Sequence, residues 1–386
     1  MQGRDAAVAA AQRVVDEVVA PNAEEWDAKA AWPEDGLGAL LAEGLGGLVV
    51  PTEYGGLGLG LRGLVEVCEV IGTADASSGL CFGMHCVGSA CIAAKANLDQ
   101  AERLLRPIAA GEHLTTLALS EPGTGSHFYL PETTMAHAGD HYVVSGTKAF
   151  VTNGGHADSY VASTVATEPD APPGHFSMVL IDADTPGMEW GGPWEGWGMR
   201  ANSSRSLELR DVAVPLDNRL GDEGDQIWYV FNVVVPYFLI AMAGTYLGIA
   251  HHAVREATAH LRGRAYTHSG RRLAEFDVLQ HRIGTLWAAL RRTQQLCHWA
   301  ADAADQGSSE ALPAVCAAKA EVATATVSIV NECMTLVGGT AYRDGSVLQR
   351  LLRDARASHV MSPTTDILYT WAGRALLDLP LLGGMT

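Results

Sequence analysis

The amino-acid sequence predicts an α+β fold in which a helical segment, a strand-rich segment and a second helical segment follow one another. With 386 residues, 48% of them hydrophobic, the chain can bury a large core divided among two or three structural units. Apolar residues recur every three or four positions toward both ends of the chain and every second position in the middle. These changes of period place an N-terminal helical domain at 1–113, a middle β domain at 114–221 and a C-terminal helical bundle at 222–386.

The N-terminal domain is predicted to be helical because its apolar residues are spaced for one face of a helix. This spacing runs over residues 14–19 and 37–45. Pro33, Pro51 and the glycine-rich run GGLGLG at 55–60 interrupt it. The run does not match the dinucleotide-binding pattern G-x-G-x-x-G and does not follow a strand, so we expect a turn between helices.

The middle domain contains short apolar or alternating runs, separated by turn sequences rich in glycine and proline. No helical segment long enough for a parallel crossover separates these runs, so we expect an antiparallel sheet or barrel. After Gly221 the helical period returns. It predicts a bundle with helices at about 226–262, 274–304, 309–337, 346–359 and 365–378.

Composition and missing motifs exclude several classes of function. The net charge of −18 argues against nucleic acid or an anionic membrane as a partner. Walker A, H-E-x-x-H and G-x-S-x-G motifs are absent, and adjacent His251 and His252 point in two directions on a helix, so no metal is expected.

Cysteine usage and the apolar stretches predict a soluble, cytoplasmic protein. The seven cysteines include no C-x-x-C pair and lie mostly in apolar surroundings, which is typical of buried reduced thiols. The N-terminus lacks the uninterrupted apolar run of a secretory signal. The longest apolar stretch, 227–250, contains Asn232 and Pro236 and is interpreted as a buried helix rather than a membrane span.

The segment SEPGTGSHF at 120–128 has the pattern of a ligand-binding loop. Gly123 and Gly125 let the backbone approach a ligand closely, and Ser120 and Ser126 add hydroxyl donors. This combination suits an anionic or ring-shaped cofactor. On its own, the segment is more typical of a turn that ends a strand.

The segment KAFVTNGG at 148–155 follows on the next strongly patterned strand. Phe150 and Thr152 are two positions apart, so they are predicted to share one face of the sheet. There they could present an aromatic wall and a hydroxyl to the same ring. From this pattern alone, an ordinary core Phe beside a surface Thr is an equal alternative.

Six segments together resemble the acyl-CoA dehydrogenase family of flavoproteins. They occur in the family's order and close to its spacing: LALSEPGTGS, TKAFVTNGGHADSY, GWGMRANSSRSLELRDVAVPLDNRLG, SGRRLAEFDVLQH, LVGGTAY and QRLLRDAR. VPTEYGGLGLG near the N-terminus is also similar, so the resemblance covers essentially the whole chain. It implies an N-terminal helical domain, a middle β-barrel-like domain and a C-terminal four-helix bundle, with FAD bound between the last two. It also implies a homo-oligomer, a tetramer or dimer, in which FAD reaches a neighbouring subunit.

The resemblance implies a set of FAD contacts, which are carried over by position. They are Leu117, Leu119 and Ser120 at the isoalloxazine edge, Gly125 and Ser126 at the pyrophosphate, Phe150 and Thr152 at the flavin ring, and Gly338, Gly339 and Thr364 elsewhere on FAD. His127 stands where the family has Asp. It is either a titratable group near the cofactor or a solvated loop histidine.

Other departures concern the contacts that the family makes with the FAD of a partner subunit. Tyr266 replaces the Arg that commonly meets the pyrophosphate, and Asp277 and Thr335 replace two Gln residues. We therefore expect the strands of the middle domain to supply most of the affinity for FAD.

The largest departure removes the usual catalytic base. The family's Glu, in a Y-E-G-T stretch, corresponds here to Ser362 in MSPT, and its alternative position on the first bundle helix corresponds to about Phe238. Two other residues are candidate bases: Asp366, one helical turn past Ser362, and His85, in the helices that line the family's acyl pocket. An ordinary acid in the first turn of a helix is the alternative interpretation of Asp366.

The function that the resemblance implies is FAD-dependent α,β-oxidation of an acyl thioester, on CoA or on a carrier protein, with a non-standard base. Hydride would pass from the substrate β-carbon to flavin N5, and the electrons then to an electron-transfer flavoprotein or to oxygen. Two alternatives stay open. One is a reduced-flavin-dependent monooxygenase on the same fold, and the other is a catalytically silent subunit of a hetero-oligomer.

Overall fold

A computed structural model describes residues 2–168, 170–172 and 174–382 and confirms the predicted α+β fold. The N-terminal helices are α1 (Gln2–Val14), α2 (Ala20–Lys29), α3 (Glu34–Ala42), α4 (Leu61–Gly72), α5 (Ala76–Ala94), α6 (Leu98–Gln100) and α7 (Arg106–Ala110). The glycine-rich run at 55–60 connects a 3-10 turn to α4, as the sequence predicted.

The middle domain is a sheet of eight strands. They are β1 (Thr115–Ala118), β2 (Thr134–Ala138), β3 (His141–Val151), β4 (Ser159–Ala166), β5 (Phe176–Asp182), β6 (Met188–Trp190), β7 (Arg205–Pro215) and β8 (Arg219–Leu220). Their order is β6-β7-β3-β2-β4-β5-β8, and β1 pairs with the first half of β4. The sequence pattern does not reveal β2, β6 or β8. Strands β6 and β8 are too short to show a period, and β2 contains a single large apolar residue, Met135.

The expectation of an antiparallel sheet is wrong in part, because β4 pairs in parallel with both β1 and β2. The other pairs are antiparallel. The chain passes from β1 to β4 through the β2–β3 hairpin, so this hairpin makes the crossover in place of a helix. The parallel pairing sets the end of β1, and the loop that follows it, against the middle of the sheet.

The C-terminal domain is a helical bundle whose bounds follow the predicted ones closely. Its helices are α8 (Gln226–Tyr229), α9 (Val235–Gly263), α10 (Asp277–Asp305), α11 (Ala311–Val337), α12 (Val347–Val360) and α13 (Thr365–Leu376). A π-helical turn, Val230–Val234, joins α8 to α9. Helix α9 packs against α4 and α5 as well as α10, α11 and α12. A Cβ on Gly79 of α5 would lie 2.8 Å from Thr245 Cγ2, so glycine permits the close approach of α5 to α9.

Three helical stretches have the length and hydropathy of a membrane span: Ala76–Ala94, Gln226–Gly263 and Ala311–Thr340. Within their most apolar windows, 94%, 89% and 61% of the residues are buried in the fold. Packing against neighbouring helices accounts for this hydropathy, and it agrees with the interpretation of 227–250 as a buried helix. The seven cysteines are buried and free of disulfides.

Candidate functional site

A cavity of about 720 Å³, here called the central cavity, lies between the middle sheet and the helices of both helical domains. Helix α5 contributes Leu80 and Met84 to its wall, and the start of α9 contributes Phe238. The other walls come from the loop after β1, the end of β3, the loop 194–204 and the α12–α13 loop. All three domains therefore contribute to one site.

The central cavity brings together most of the residues that the sequence singled out. Its lining includes Leu117, Leu119, Ser120, Gly125, Ser126, Phe150, Thr152 and Ser362. The remaining candidates, His85, Gly338, Gly339, Thr364 and Asp366, do not line it. The fold thus brings the candidate residues of the middle domain together with Ser362.

A buried ion pair holds the loop after β1. The side chains of Glu121 in this loop and Lys148 in β3 are 2% and 0% exposed, and Nζ lies 2.5 Å from Oε1. Glu121 also accepts hydrogen bonds from the backbone N–H and the hydroxyl of Thr133. Lys148 also donates to the carbonyl and hydroxyl oxygens of Ser163, and burial lowers the pKa of Lys148 to about 8. The pair ties the loop to the strand that carries Phe150.

Phe150 departs from the expected alternation of β3. Its φ is +56°, the pairing with β7 shifts register between Lys148 and Val151, and the strand ends at Val151. A bulge therefore breaks the period on which the prediction of a shared face rested. Phe150 is 65% exposed whereas Thr152 is buried, although both line the central cavity.

Helix α12 fixes the loop 194–204. The carboxylate of Asp354 accepts a hydrogen bond from the backbone N–H of Met199 at 2.6 Å, and burial raises the pKa of Asp354 to about 7. The loop places Trp194 edge-to-face with Phe150, with the ring centroids 6.1 Å apart. Two aromatic rings therefore stand together on the cavity wall.

The α12–α13 loop brings Ser362 to the cavity, where its hydroxyl lies 3.5 Å from the carbonyl oxygen of Ser126. Behind this loop, Lys319 of α11 donates hydrogen bonds to the carbonyl oxygens of Ser358, Met361 and Pro363. The loop that carries Ser362 is thus anchored from the bundle.

The lining fits a planar, partly anionic cofactor. Gly125 has a φ of +52°, and a Cβ built on it meets nothing within 4 Å, so a ligand can reach the backbone there. The hydroxyls of Ser120 and Ser126 line the cavity without a hydrogen-bond partner in the described part of the chain. The exposed ring of Phe150 offers a surface for stacking.

His85 is not placed to act as a catalytic base. It is fully buried, its Nε2 lies 3.0 Å from the carbonyl oxygen of Gly46, and its Nδ1 accepts a hydrogen bond from the N–H of Thr115 at 3.2 Å. Burial lowers the pKa of His85 to about 4. The prediction that His85 is a base is therefore wrong. It is a neutral structural residue that joins α5 to β1.

Acidification is expected to reveal this structural role. The pKa of His85 is 6.5 when unperturbed and about 4 when folded, so between these values the proton binds preferentially to the unfolded chain. The free energy of unfolding should therefore fall as the pH drops through this window, by at most roughly 1.4 kcal/mol per pH unit for one proton. Urea unfolding across this window should give a smaller slope in His85→Gln than in wild type. The exposed His268→Gln serves as the control, and equal slopes in all three proteins would contradict the assignment.

Asp366 lies away from the central cavity, exposed in the first turn of α13. It therefore supplies no base there, and its alternative interpretation as a helix-first-turn acid agrees with the structure. Gly338 and Gly339 are exposed at a separate hollow of about 520 Å³, which Arg264 and Tyr266 also line. We call this the distal hollow.

Ionisable side chains are scarce on the wall of the central cavity. Among the described lining residues only Glu121 is ionisable, and its carboxylate is paired with Lys148. His127 is exposed and packs edge-on against Tyr129, outside the lining. The cavity therefore offers hydroxyls and apolar surface, but the described wall carries no free carboxylate or imidazole.

Sequence analysis did not single out the Glu121–Lys148 pair, Lys319 or Trp194. Lys148 is one of the alternating residues of β3 whose side chains are buried. Lys319 lies on the apolar, buried face of α11. A lysine at a core position needs buried acceptors, so both positions carried a signal. Trp194 lies in a loop without a period, and no local pattern predicts its direction.

In the comparison with known proteins, domain models of one family match nearly the whole chain. Models of the N-terminal, middle and C-terminal domains of acyl-CoA dehydrogenase match residues 3–112, 116–212 and 228–377. The chain is 28% identical to mitochondrial isobutyryl-CoA dehydrogenase of Bos taurus, over 93% of this chain and 85% of that protein. It is also 28% identical to an acyl-CoA dehydrogenase of Bacillus subtilis (strain 168), over 95% and 94% of the two chains.

Solved structures share the fold. Butyryl-CoA dehydrogenase from Megasphaera elsdenii matches with a TM-score of 0.91 and 23% identity over 98% of both chains. Acyl-CoA dehydrogenase from Geobacillus kaustophilus gives a TM-score of 0.87 and 26% identity over 98% of this chain and 99% of that one. The prolyl acyl carrier protein oxidase AnaB gives 0.87 and 22% identity over 97% and 98%.

Proposed function

Because the chain belongs to the acyl-CoA dehydrogenase family of flavin oxidoreductases, we propose that it binds FAD in the central cavity and oxidises an acyl thioester there. The observation that carries the proposal is the meeting of Ser120, Gly125, Ser126 and Thr152 with the exposed ring of Phe150 in one cavity. When bound, FAD supplies the acceptor for a hydride. Ser126 and the open backbone at Gly125 bind its anionic part, while Ser120, Phe150 and Thr152 orient its ring.

The apolar walls of the central cavity suit an acyl chain. Leu80 and Met84 of α5 face this space together with Val235 and Phe238 of α9. Such a lining excludes water and binds hydrocarbon. One relative is named for isobutyryl-CoA and one structural neighbour for a prolyl acyl carrier protein, so the proposal includes both CoA and a carrier protein as carriers. An electron-transfer flavoprotein or oxygen then takes the electrons.

No described residue on the cavity wall is a free base. The proposed substrate is therefore one whose α-proton is acidic enough to leave without a strong base. Among the described residues, the Ser362 hydroxyl hydrogen-bonds only to the carbonyl oxygen of Ser126, and a serine without a base behind it does not take a proton from carbon near neutral pH. A well-placed general base contributes roughly 10²- to 10⁴-fold. Simple saturated acyl-CoA compounds should therefore react slowly, and a substrate with a more acidic C–H or N–H should react faster.

A reduced-flavin-dependent monooxygenase is the second candidate, and the same absence of a free base on the described wall favours it. Such an enzyme takes reduced flavin from a partner reductase and needs no group to remove an α-proton. A catalytically silent subunit, paired with an active family member, is the third possibility, since Ser362 and Tyr266 replace a catalytic and a cofactor-binding residue of the family.

Anaerobic flavin spectra distinguish these functions. With FAD-loaded protein, butyryl- to octanoyl-CoA should bleach the flavin slowly. The thioester 2-phenylbutyryl-CoA should bleach it faster, because its α-proton is more acidic and its β-carbon is still a saturated CH2 that can give up a hydride. No bleaching by any thioester, together with hydroxylation that requires a reductase and oxygen, would replace the proposal by the monooxygenase. Failure to take up FAD, with copurification of an active family member, would replace it by the silent subunit.

Removing the cavity hydroxyls is expected to weaken FAD binding. Ser126→Ala and Thr152→Ala should each cost about 1–2 kcal/mol of binding free energy, or roughly 5- to 30-fold in the dissociation constant, if a cofactor acceptor is left unpaired. Titration of the apoprotein with FAD measures this, with Thr52→Ala in the exposed 3-10 turn before α4, outside both cavities, as control. If neither variant binds more weakly while Arg264→Ala abolishes binding, the distal hollow supplies the affinity instead.

We propose further that the protein is a cytoplasmic homotetramer or homodimer. Support for the oligomer comes from the distal hollow, which lies outside the central cavity and holds the candidate cofactor contacts Gly338 and Gly339. Support for the location comes from the seven buried, reduced cysteines. Light scattering tests the assembly, and a monomer fully loaded with FAD would contradict it.

A further inference from the structure

Lys319 of α11 is a fully buried lysine that makes no ion pair with a carboxylate of the described residues. Its ammonium group lies 2.8 Å from the carbonyl oxygen of Ser358, 3.0 Å from that of Met361 and 2.9 Å from that of Pro363. Burial lowers the pKa of Lys319 to about 7. Taking a cation out of water is costly, so simple packing would favour an apolar side chain here. The three carbonyl contacts are therefore the reason for a lysine at this position.

Two of the three acceptors lie outside α12. Ser358 belongs to its last turn, where carbonyl groups lack partners within the helix and attract a cation. Met361 and Pro363 lie beyond the end of the helix at Val360. A residue that only capped α12 would contact helix carbonyls alone. Lys319 therefore also fixes the α12–α13 loop.

The two loop carbonyls lie on either side of Ser362. The peptide between Met361 and Ser362 is trans, so its N–H points opposite to its carbonyl. Because this carbonyl points at Lys319, the N–H of Ser362 points away from α11. It donates to no acceptor in the described part of the chain. Met361, Ser362 and Pro363 all line the central cavity.

We propose that Lys319 is a positioning residue, which holds the α12–α13 loop so that Ser362 and its backbone N–H face the acyl group in the central cavity. The identity of the ligand as an acyl thioester rests on the proposed function, whereas the effect of Lys319 on the loop does not. Lys319 acts through the peptide groups of Met361 and Pro363 and does not line the cavity itself.

Hydrogen exchange tests the effect on the loop in the FAD-loaded protein. Lys319→Met keeps the length of the side chain and removes its donors, whereas Lys319→Arg keeps donors. Lys95→Met, which removes the pair with Asp225 outside the cavity, is the control. Exchange in the peptide 358–365 should rise about tenfold in Lys319→Met, return toward wild type in Lys319→Arg and stay unchanged in the control. Unchanged exchange in Lys319→Met, or an equal rise throughout β3, would overturn the proposal.

Binding of acetoacetyl-CoA gives the second readout, because its β-carbon is already oxidised and it reports binding without turnover. Lys319→Met should weaken this binding about tenfold, as expected for roughly one misplaced hydrogen bond. The dissociation constant of FAD should change less than about threefold, since the candidate FAD contacts that line the central cavity lie in other segments and Thr364, the candidate in this loop, does not line it. Equal losses of both affinities would show a merely structural role and overturn the proposal. If wild type binds no thioester, the proposed function fails, and the exchange measurement alone decides the role of Lys319.

Discussion

Lys148→Met is expected to lower the free energy of unfolding by about 3–5 kcal/mol, because it leaves the carboxylate of Glu121 buried without its counter-ion. Both side chains are almost completely inaccessible to water. Glu121 would keep its hydrogen bonds from Thr133 but lose the one cationic partner that it has among the described residues. Because the pair also joins the loop after β1 to β3, FAD affinity should fall together with stability.

Denaturant unfolding of the single and paired variants measures this effect. The double variant with Glu121→Leu and Lys148→Met should be more stable than Lys148→Met alone, since it removes the uncompensated charge as well. Lys29→Met is the matched control, because its pair with Glu25 is exposed and screened by solvent and should contribute little to stability. A Lys148→Met protein as stable as the Lys29→Met protein would show that the buried pair is not needed.

Ser362→Glu is expected to accelerate flavin bleaching by butyryl- to octanoyl-CoA by about 10²- to 10⁴-fold, the usual contribution of a general base. Position 362 lines the central cavity on an anchored loop, and the described wall carries no other free base. The side chain is only partly buried, so a carboxylate there can stay ionised. Anaerobic stopped-flow measurement of flavin absorbance, with FAD-loaded protein, gives the rate.

Two controls separate a new base from a mere change of shape. Ser362→Gln has nearly the same size as the glutamate variant but accepts no proton from carbon, so its rate should stay near that of wild type. Asp366→Asn should change nothing, because Asp366 is exposed outside the cavity. Rapid bleaching by wild type that Asp366→Asn abolishes would contradict the placement of both residues.

The order of domains and the long helices could be predicted because their signal is spread over many residues. The bounds of α9 to α13 follow a helical period that no single substitution hides. The candidate cofactor residues of the middle domain could be selected because two short segments, 120–128 and 148–155, carry them in a fixed order. Local pattern and resemblance agree there, and the structure brings the two segments to one cavity.

What could not be predicted depends on contacts between distant parts of the chain. The parallel pairing of β1 with β4 requires a hairpin as crossover, which no local period reveals. Phe150 does not follow the alternation of side chains along β3, because a bulge in the pairing with β7 lies at this position. His85 was assigned to the site from its place in the chain, but both of its ring nitrogens are hydrogen-bonded to backbone groups, at Gly46 and Thr115.

Helix α12 supports two walls of the central cavity at once. The carboxylate of Asp354 holds the loop 194–204 through Met199, and the end of the same helix leads directly into the loop of Ser362. The middle and C-terminal domains therefore cannot be exchanged independently between related proteins. A chimera that took its middle domain from one protein and its bundle from another would pair a loop with a helix that did not evolve to receive it. Grafting would have to transfer 194–204 and α12 as one unit, although more than a hundred residues separate them in the chain.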